Sequence, residues 1–214
     1  MKFKKISVLM TVHNDEKYIK ASITSILKQS YKNLELIIID DFSTDDSIKI
    51  AKKFKDRRIK IYLLKNKLGR TRSLNYGLKK CKSNFIAIQD ADDISLNHRI
   101  KKLSKILTKK PDIGLIGTDC RFINKYNNSL RKEIFKKKYL SNLNKVIKYK
   151  NFIAHSSIIF RRDAFGRKKI FYNEGYTYAQ DYNLILRFLK YSKIHFLNEK
   201  LVKVRQHSES MSYD

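Results

Sequence analysis

Acidic residues are scarce in this chain, and where they stand marks the places at which chemistry could occur. Of 214 residues only 20 are Asp or Glu, against 48 Lys and Arg, a formal net charge of +28. Yet Asp40-Asp41 and Asp90-Ala91-Asp92-Asp93 put five carboxylates at the ends of two apolar runs. Three carboxylates within four residues repel one another unless a cation lies between them. A hard divalent ion takes one or two such carboxylates, with substrate phosphates and water completing its shell. One or two of these Asp residues would also serve as helix caps. Asp41 reads either as part of a turn and cap or as an acceptor for a base or ribose. Gly69-Arg70-Thr71-Arg72 offers Arg70 as a cation for a diphosphate. No Gly-x-Gly-x-x-Gly follows the first apolar run and there is no Walker A loop, so phosphate would be held by carboxylates, metal and arginine.

The elements that must position these groups alternate between two periodicities. Ile6–Val12, Leu34–Ile39, Ile59–Leu64, Phe85–Ile88 and Ile113–Thr118 are apolar runs of strand length. Between them Ile19, Ile23, Ile26 and Leu27, then Ile48, Ala51 and Phe54, then Leu74 and Leu78, then Ile100, Leu103 and Leu107 recur at helical spacing. This predicts an α/β fold with a mainly parallel, twisted sheet and helices on both faces. Ligands of such sheets bind outside the carboxyl ends of the strands, where the acids stand. The second half predicts a hairpin, Arg121–Lys125 against Ser129–Phe135, turning at Asn127-Asn128. A lysine-rich helix over about Tyr139–Tyr149, a strand Ser156–Phe160 and an amphipathic helix Gln180–Tyr191 follow. No linker rich in Gly, Ser or Pro interrupts residues 1–214, which predicts one domain.

The charge admits nucleic acid, an anionic membrane face or phosphorylated small molecules as partners. Lysine is spread along the whole chain beside many Asn and Ile, a pattern that compositional bias alone produces. A basic nucleic-acid-binding protein is the rival reading, but no stacking or groove-reading motif appears, and no nucleic acid partner is expected. Cys81 and Cys120 fit no metal spacing and read as ordinary thiols. No apolar run reaches the roughly 18 residues of a membrane span, and Ile6–Val12 is too short for a signal-peptide core. The expectation is a cytoplasmic chain, peripheral at most on the cytoplasmic membrane face. The sequence carries no signal of oligomeric state.

In order along the chain stand Ser7-Val8-Leu9-Met10-Thr11, Asp40-Asp41-x-Ser43-Thr44-Asp45, Gly69-x5-Asn75-x-Gly77 and Asp90-Ala91-Asp92-Asp93. His155-Ser156-Ser157, Gln180-Asp181-Tyr182-Asn183-Leu184 and Arg205-x-His207 complete the set. The ordered set resembles the family 2 glycosyltransferases of the GT-A fold. The resemblance implies inverting transfer of a sugar from a nucleotide diphosphate sugar, UDP-linked, to a hydroxyl of a glycan or lipid-linked saccharide. It implies a nucleotide-sugar half, 1–118, and an acceptor half, 119–214. It places Thr11, His13 and Asp41 on the base and ribose, and Asp90, Asp92 and Asp93 in the Asp-x-Asp element. Asp92, Asp93 and His207 would hold Mn2+ or Mg2+, and Asp181 would be the catalytic base. His155 reads as a core histidine or an acceptor contact, and Tyr176 and Tyr178 as stacking surfaces for an acceptor sugar. Met10, His13, Phe42 and Gln180 depart from the family's usual Pro, aromatic, Gly and Glu. A sugar-nucleotide binder without turnover is a further alternative. The surplus lysine would suit an anionic membrane bearing lipid-linked acceptors.

Overall fold

The computed structural model describes residues 4–166 and 169–207. β1 (Ile6–Val12), β2 (Leu34–Asp40), β3 (Ile59–Leu63), β4 (Phe85–Ile88), β5 (Ile94–Ser95), β6 (Ile113–Ile123), β7 (Ile159–Arg161) and β8 (Lys193–Arg205) form one eight-stranded sheet. Its order is β3-β2-β1-β4-β7-β6-β8-β5. β1, β2, β3 and β4 run parallel, as do β6 and β8, while β7 and β5 pair antiparallel to their neighbours. The chain leaves β1 in one direction to β2 and β3 and returns on its other side as β4. That reversal opens a crevice at the carboxyl ends of β1, β2 and β4.

The period of two along each strand divides the core. Val8, Met10, Leu36, Ile38 and Ala87 face α1 (Ile19–Leu27), α2 (Ser47–Lys52) and α4 (Arg99–Lys109). Leu9, Ile37, Ile39, Ile86 and Ile88 face α3 (Arg70–Lys80) and α6 (Gln180–Tyr191), where Leu74, Leu78, Leu184, Ile185 and Phe188 meet them. Every residue of β1 and β2 is buried, which is why these strands read as unbroken apolar runs. Among the described residues no helix is long and apolar enough to cross a membrane.

The second half departs from expectation. β6 continues to Ile123, and the turn forms with Asn127 at φ 70°, but the returning arm makes a single bridge, Ile123 to Ser129. Ser129 to Glu133 are exposed, and the arm turns apolar side chains to the core only at Ile134 and Phe135, beyond the bridge. The lysine-rich helix splits into a 3-10 turn, Lys137–Asn142, and a short α5, Leu143–Ile147. Ser141 Oγ donates to the Lys138 carbonyl, the kind of local bond that competes with helix propagation. The strand expected from Ser156 begins at Ile159, because His155–Ser157 form a 3-10 turn. β8 was not expected. Thirteen residues long, it pairs in parallel with β6, and the register jumps from Leu197 to Lys200, so that polar Asn198-Glu199 interrupt the alternation that marks a strand.

α3 lies close on the sheet at Gly77, where an added Cβ would sit 2.3 Å from Leu9 Cδ1 and 2.9 Å from Ile39 Cγ1. Gly77→Ala should cost about 1–3 kcal/mol through overpacking. Thermal unfolding should then show Tm lowered by roughly 2–12 °C, and an unchanged Tm would mean the helix is free to lift from the sheet.

Candidate active site

A cleft of about 750 Å3 opens at the carboxyl ends of β1, β2 and β4. Its floor is the two acidic strand ends; the start of α6, the end of β8 and segments around 132–134 and 151–156 form walls. Thr11, the eleventh residue of the chain, is buried on β1 and lines it. His13 follows, its Nδ1 donating to the Asp41 carbonyl at 2.9 Å. Asp40 accepts the Ser43 N–H at 3.2 Å, as a turn residue does. Asp41 instead reaches the next loop, its two oxygens accepting the N–H groups of Leu68 at 2.7 Å and Gly69 at 2.9 Å. This fixes the entry to α3 and so the place of Arg70. Phe42, the next residue, sits at φ 63°, a left-handed conformation that glycine adopts freely and a phenylalanine only with strain.

Arg70 crosses the cleft floor to Asp90, Nη2 to Oδ1 at 2.6 Å. His155 lies against both, with Nδ1 3.1 Å from Arg70 Nη2 and 3.4 Å from Asp90 Oδ1, and Nε2 2.9 Å from the Tyr172 hydroxyl. Burial alone would raise the Asp90 pKa, but Arg70 and His155 overcome it and hold the carboxyl well below the usual range. Asp90 and its neighbours in turn keep Arg70 firmly charged despite burial. Asp93 behaves oppositely. Desolvation and the nearby Asp92 and Asp90 push its pKa up, and both its oxygens are engaged, Oδ2 by the Ser156 hydroxyl and Oδ1 by the Arg205 N–H at 2.8 Å. Beneath the acidic turn the fully buried Arg99 guanidinium donates to Ser95 Oγ at 2.8 Å and to the carbonyls of Ile88 and Ile158.

β8 brings the C-terminal residues to this turn. Arg205 Nε donates to the Asp92 carbonyl at 2.9 Å, and its Nη atoms donate to the Asn124 carbonyl at 2.9 Å and Asn127 Oδ1 at 2.8 Å. Its guanidinium also lies 4.6 Å from the centre of the Tyr18 ring, within cation–π range. His207, two residues on, packs against Tyr18 with ring centres 5.0 Å apart and sets Nε2 3.2 Å from Asp92 Oδ2. Among the described residues no three His, Cys, Asp or Glu side chains converge as a ready-made metal cage. A carboxylate beside an imidazole on an open cleft is nevertheless the kind of donor set that suits a cation whose other ligands are phosphate oxygens and water.

Asp181 enters from the first turn of α6, where unpaired helix N–H groups favour negative charge. Ala179 precedes the helix at φ 55°, and Asn151 Nδ2 lies 3.5 Å from Asp181 Oδ2. Of the residues expected from sequence, Thr11, His13, Asp41, Arg70, Asp90, Asp92, Asp93, His155, Asp181 and His207 all line this one cleft, and Tyr178 joins them. Tyr176 does not; its carbonyl accepts the Thr71 hydroxyl and its ring is partly exposed. Two contributors carried no assigned role in the sequence. Asp15 stands three residues beyond the end of β1, and an acid there in so basic a chain was a signal. Arg205 was legible only as a motif position.

The description "Glycosyl transferase family 2" matches residues 7–168. The chain belongs to glycosyltransferase family 2. It is 38% identical over 216 residues to the O-antigen biosynthesis glycosyltransferase WbnJ of Escherichia coli, covering 96% of this chain and 81% of that one. An uncharacterized glycosyltransferase of Haemophilus influenzae is 32% identical over 219 residues, 97% of this chain and 67% of that one. In fold it is similar to S. aureus TarS 1-349 in complex with UDP, with TM-score 0.77 and 19% identity over 94% of this chain and 60% of that one. It is also similar to mannosyltransferase PcManGT of Pyrobaculum calidifontis in complex with GDP-Man and Mn2+, with TM-score 0.69 and 17% identity over 97% and 58%. The chain thus spans about 60% of the length of these solved chains. The fold is that of the GT-A glycosyltransferases, as the order of motifs implied.

Asp15 lines the cleft; its backbone N–H donates to Ser47 Oγ at 2.7 Å, and its Oδ2 accepts the His13 N–H at 3.1 Å. Burial, with Asp92 the next cause, raises its pKa from 3.8 to about 7. Between these values the folded protein holds a proton that the unfolded chain has lost, so this group's contribution to stability falls as pH rises from about 4 to about 7. Denaturant unfolding in chelator should show Asp15→Asn losing less stability than the parent over that interval. Parallel pH profiles would mean that Asp15 titrates normally.

Proposed function

We propose that this chain is an inverting glycosyltransferase that moves a sugar from a UDP-sugar to a hydroxyl of a glycan or lipid-linked saccharide. The observation that carries the reading is the meeting, in one cleft, of the Arg70–Asp90–Asp92–His207 group with Asp181 from a separate element. The first set suits a diphosphate and its counter-ion. The second is a carboxylate on the cleft wall whose Oδ2 makes a long contact, 3.5 Å, to Asn151 Nδ2. Chains of similar fold solved in complex with UDP, UDP-GlcNAc and GDP-Man support a nucleotide sugar as donor.

In this reading Thr11, His13 and Asp41 receive the base and ribose in the 1–118 half, with Asp90 accepting from the ribose and Arg70 facing the diphosphate. Asp92 and His207 would hold Mn2+ or Mg2+, with Asp93 behind them, and the bound ion supplies positive charge where the leaving diphosphate becomes more negative. Residues 119–214 receive the acceptor, with His155 and Tyr176 as weaker contacts. Asp181 removes the proton of the acceptor hydroxyl as its oxygen bonds to the anomeric carbon. The bond from that carbon to the diphosphate breaks, and the nucleoside diphosphate departs from the opposite face. Attack from the face away from the leaving group inverts the anomeric centre. The reaction belongs on the cytoplasmic side of a membrane, where nucleotide sugars are available.

Asp181→Asn should lower the transfer rate by about 10²–10⁴-fold, the usual contribution of a general base, while leaving UDP affinity in Mn2+ nearly unchanged by calorimetry. Transfer at the parent rate would remove Asp181 from the role. Asp92→Asn should weaken UDP binding in the presence of Mn2+ and leave it unaltered in chelator. An equal loss under both conditions would assign Asp92 to the nucleotide itself.

A further inference from the structure

We infer that residues 136–150 form a docking surface for an anionic lipid bilayer beside the mouth of the cleft, an inference that rests on the reading of a lipid-linked acceptor. The inner side of this segment is already spent. Phe135, Ile147 and Phe152 are buried, Tyr139, Leu143 and Val146 pack on the same core, and Phe135 stacks on Phe196 with ring centres 4.3 Å apart. The Tyr182 hydroxyl donates to the Ile147 carbonyl at 2.8 Å, tying the segment to α6 one residue from Asp181.

The outer side is of one sign. Lys136, Lys137, Lys138, Lys145, Lys148 and Lys150 are all exposed. The stretch 134–162 holds no Asp or Glu, in a chain that elsewhere places 20 of them. On other faces exposed lysines meet carboxylates, as Lys102 does Glu199, Lys193 does Asp112 and Lys200 does Glu133. Among the described residues none of these six is in an ion pair. Set among them are Tyr149, 81% exposed, and Leu140, 40% exposed. Cationic side chains around an amphipathic aromatic and an aliphatic group match the headgroup layer of an anionic bilayer, which attracts the first and takes in the second. Nucleic acid would use the charge but offers nothing to an exposed leucine.

The placement gives the surface a use. Lys132, Ile134, Asn151 and Ile153, which flank the segment, line the cleft. A bilayer held against residues 136–150 would therefore lie beside Asp181, where a lipid-borne hydroxyl has to arrive.

The test is co-sedimentation at low salt with phosphatidylcholine vesicles, with and without phosphatidylglycerol. The parent chain should bind only the anionic vesicles. Replacing Lys137, Lys138, Lys145 and Lys148 by Ser should weaken that binding by about 100-fold or more, since each lysine near such a surface is worth roughly fivefold. Replacing four exposed lysines of α4 and the residue that follows it, Lys101, Lys105, Lys109 and Lys110, should weaken it by less than that, although the change in net charge is the same. Tyr149→Ser should weaken vesicle binding while leaving binding to single-stranded RNA unchanged. Equal loss in both lysine variants, no binding by the parent, or equal binding to neutral vesicles would overturn the inference. RNA binding that responds to the lysine variant while vesicle binding does not would assign the surface to nucleic acid instead. UDP release from a UDP-sugar, measured without vesicles, separates the two readings. It should be unchanged in the lysine variant, whereas its absence from the parent would sink the glycosyltransfer reading and leave the vesicle result standing.

Discussion

The carboxyl edge of the sheet is organised around Arg205. Its buried guanidinium binds the Asp92 carbonyl, the Asn124 carbonyl and the Asn127 side chain, and rests on Tyr18, while the backbone N–H of Arg205 donates to Asp93. These partners belong to the β4–α4 turn, the loop after β6 and the approach to α1. Hydrogen bonds from a charged donor are worth about 1.5–3 kcal/mol each, and a buried guanidinium without them would be costly. The strand that delivers Arg205 is therefore locked in register with the acidic turn. His207 reaches Asp92 because Arg205 has already fixed the backbone two residues before it.

The same constraint explains how so many carboxylates share one cleft. Asp15, Asp90, Asp92 and Asp93 crowd together in a partly desolvated space, and each is treated differently. Asp90 is paired with Arg70 and stays ionised. Asp93 is engaged at both oxygens and pushed toward its protonated form. Asp15 lies between, near neutrality. Asp92 lines the cleft with the His207 imidazole beside its carboxylate. A diphosphate and its counter-ion fit such a graded arrangement better than they would four equivalent anions, because like charges held this close cannot all ionise unaided.

The basic surface and the acidic cleft are then two parts of one design. Acidic groups are concentrated where phosphate chemistry is proposed and are absent from the neighbouring face at 136–150. What first suggested nucleic acid is better understood as a surround for a cleft whose own potential is set by carboxylates and Arg70. The exposed Tyr149 and Leu140 give that surround an apolar component that charge alone would not need.

The sequence by itself determined β1 to β4, their helices and the acidic strand ends, because buried parallel strands and amphipathic helices write their periods locally. It also determined the family, through motifs whose order survives the replacement of Gly by Phe42 and of Glu by Gln180. The tertiary structure alone decided which groups each acid pairs with. Asp41 was legible as a site residue, but that it clamps Leu68 and Gly69 depends on a loop 27 residues away. Asp93 was expected to differ little from Asp92, yet Ser156 and Arg205, 63 and 112 residues distant, take both its oxygens. β8 went unseen because Asn198-Glu199 break its alternation and its pairing is supplied by β6, far earlier in the chain. Residue type and spacing specify which groups can titrate, pair or ligate. Desolvation and partners decide which of them do, and those belong to the surrounding atoms, which only the folded chain brings together.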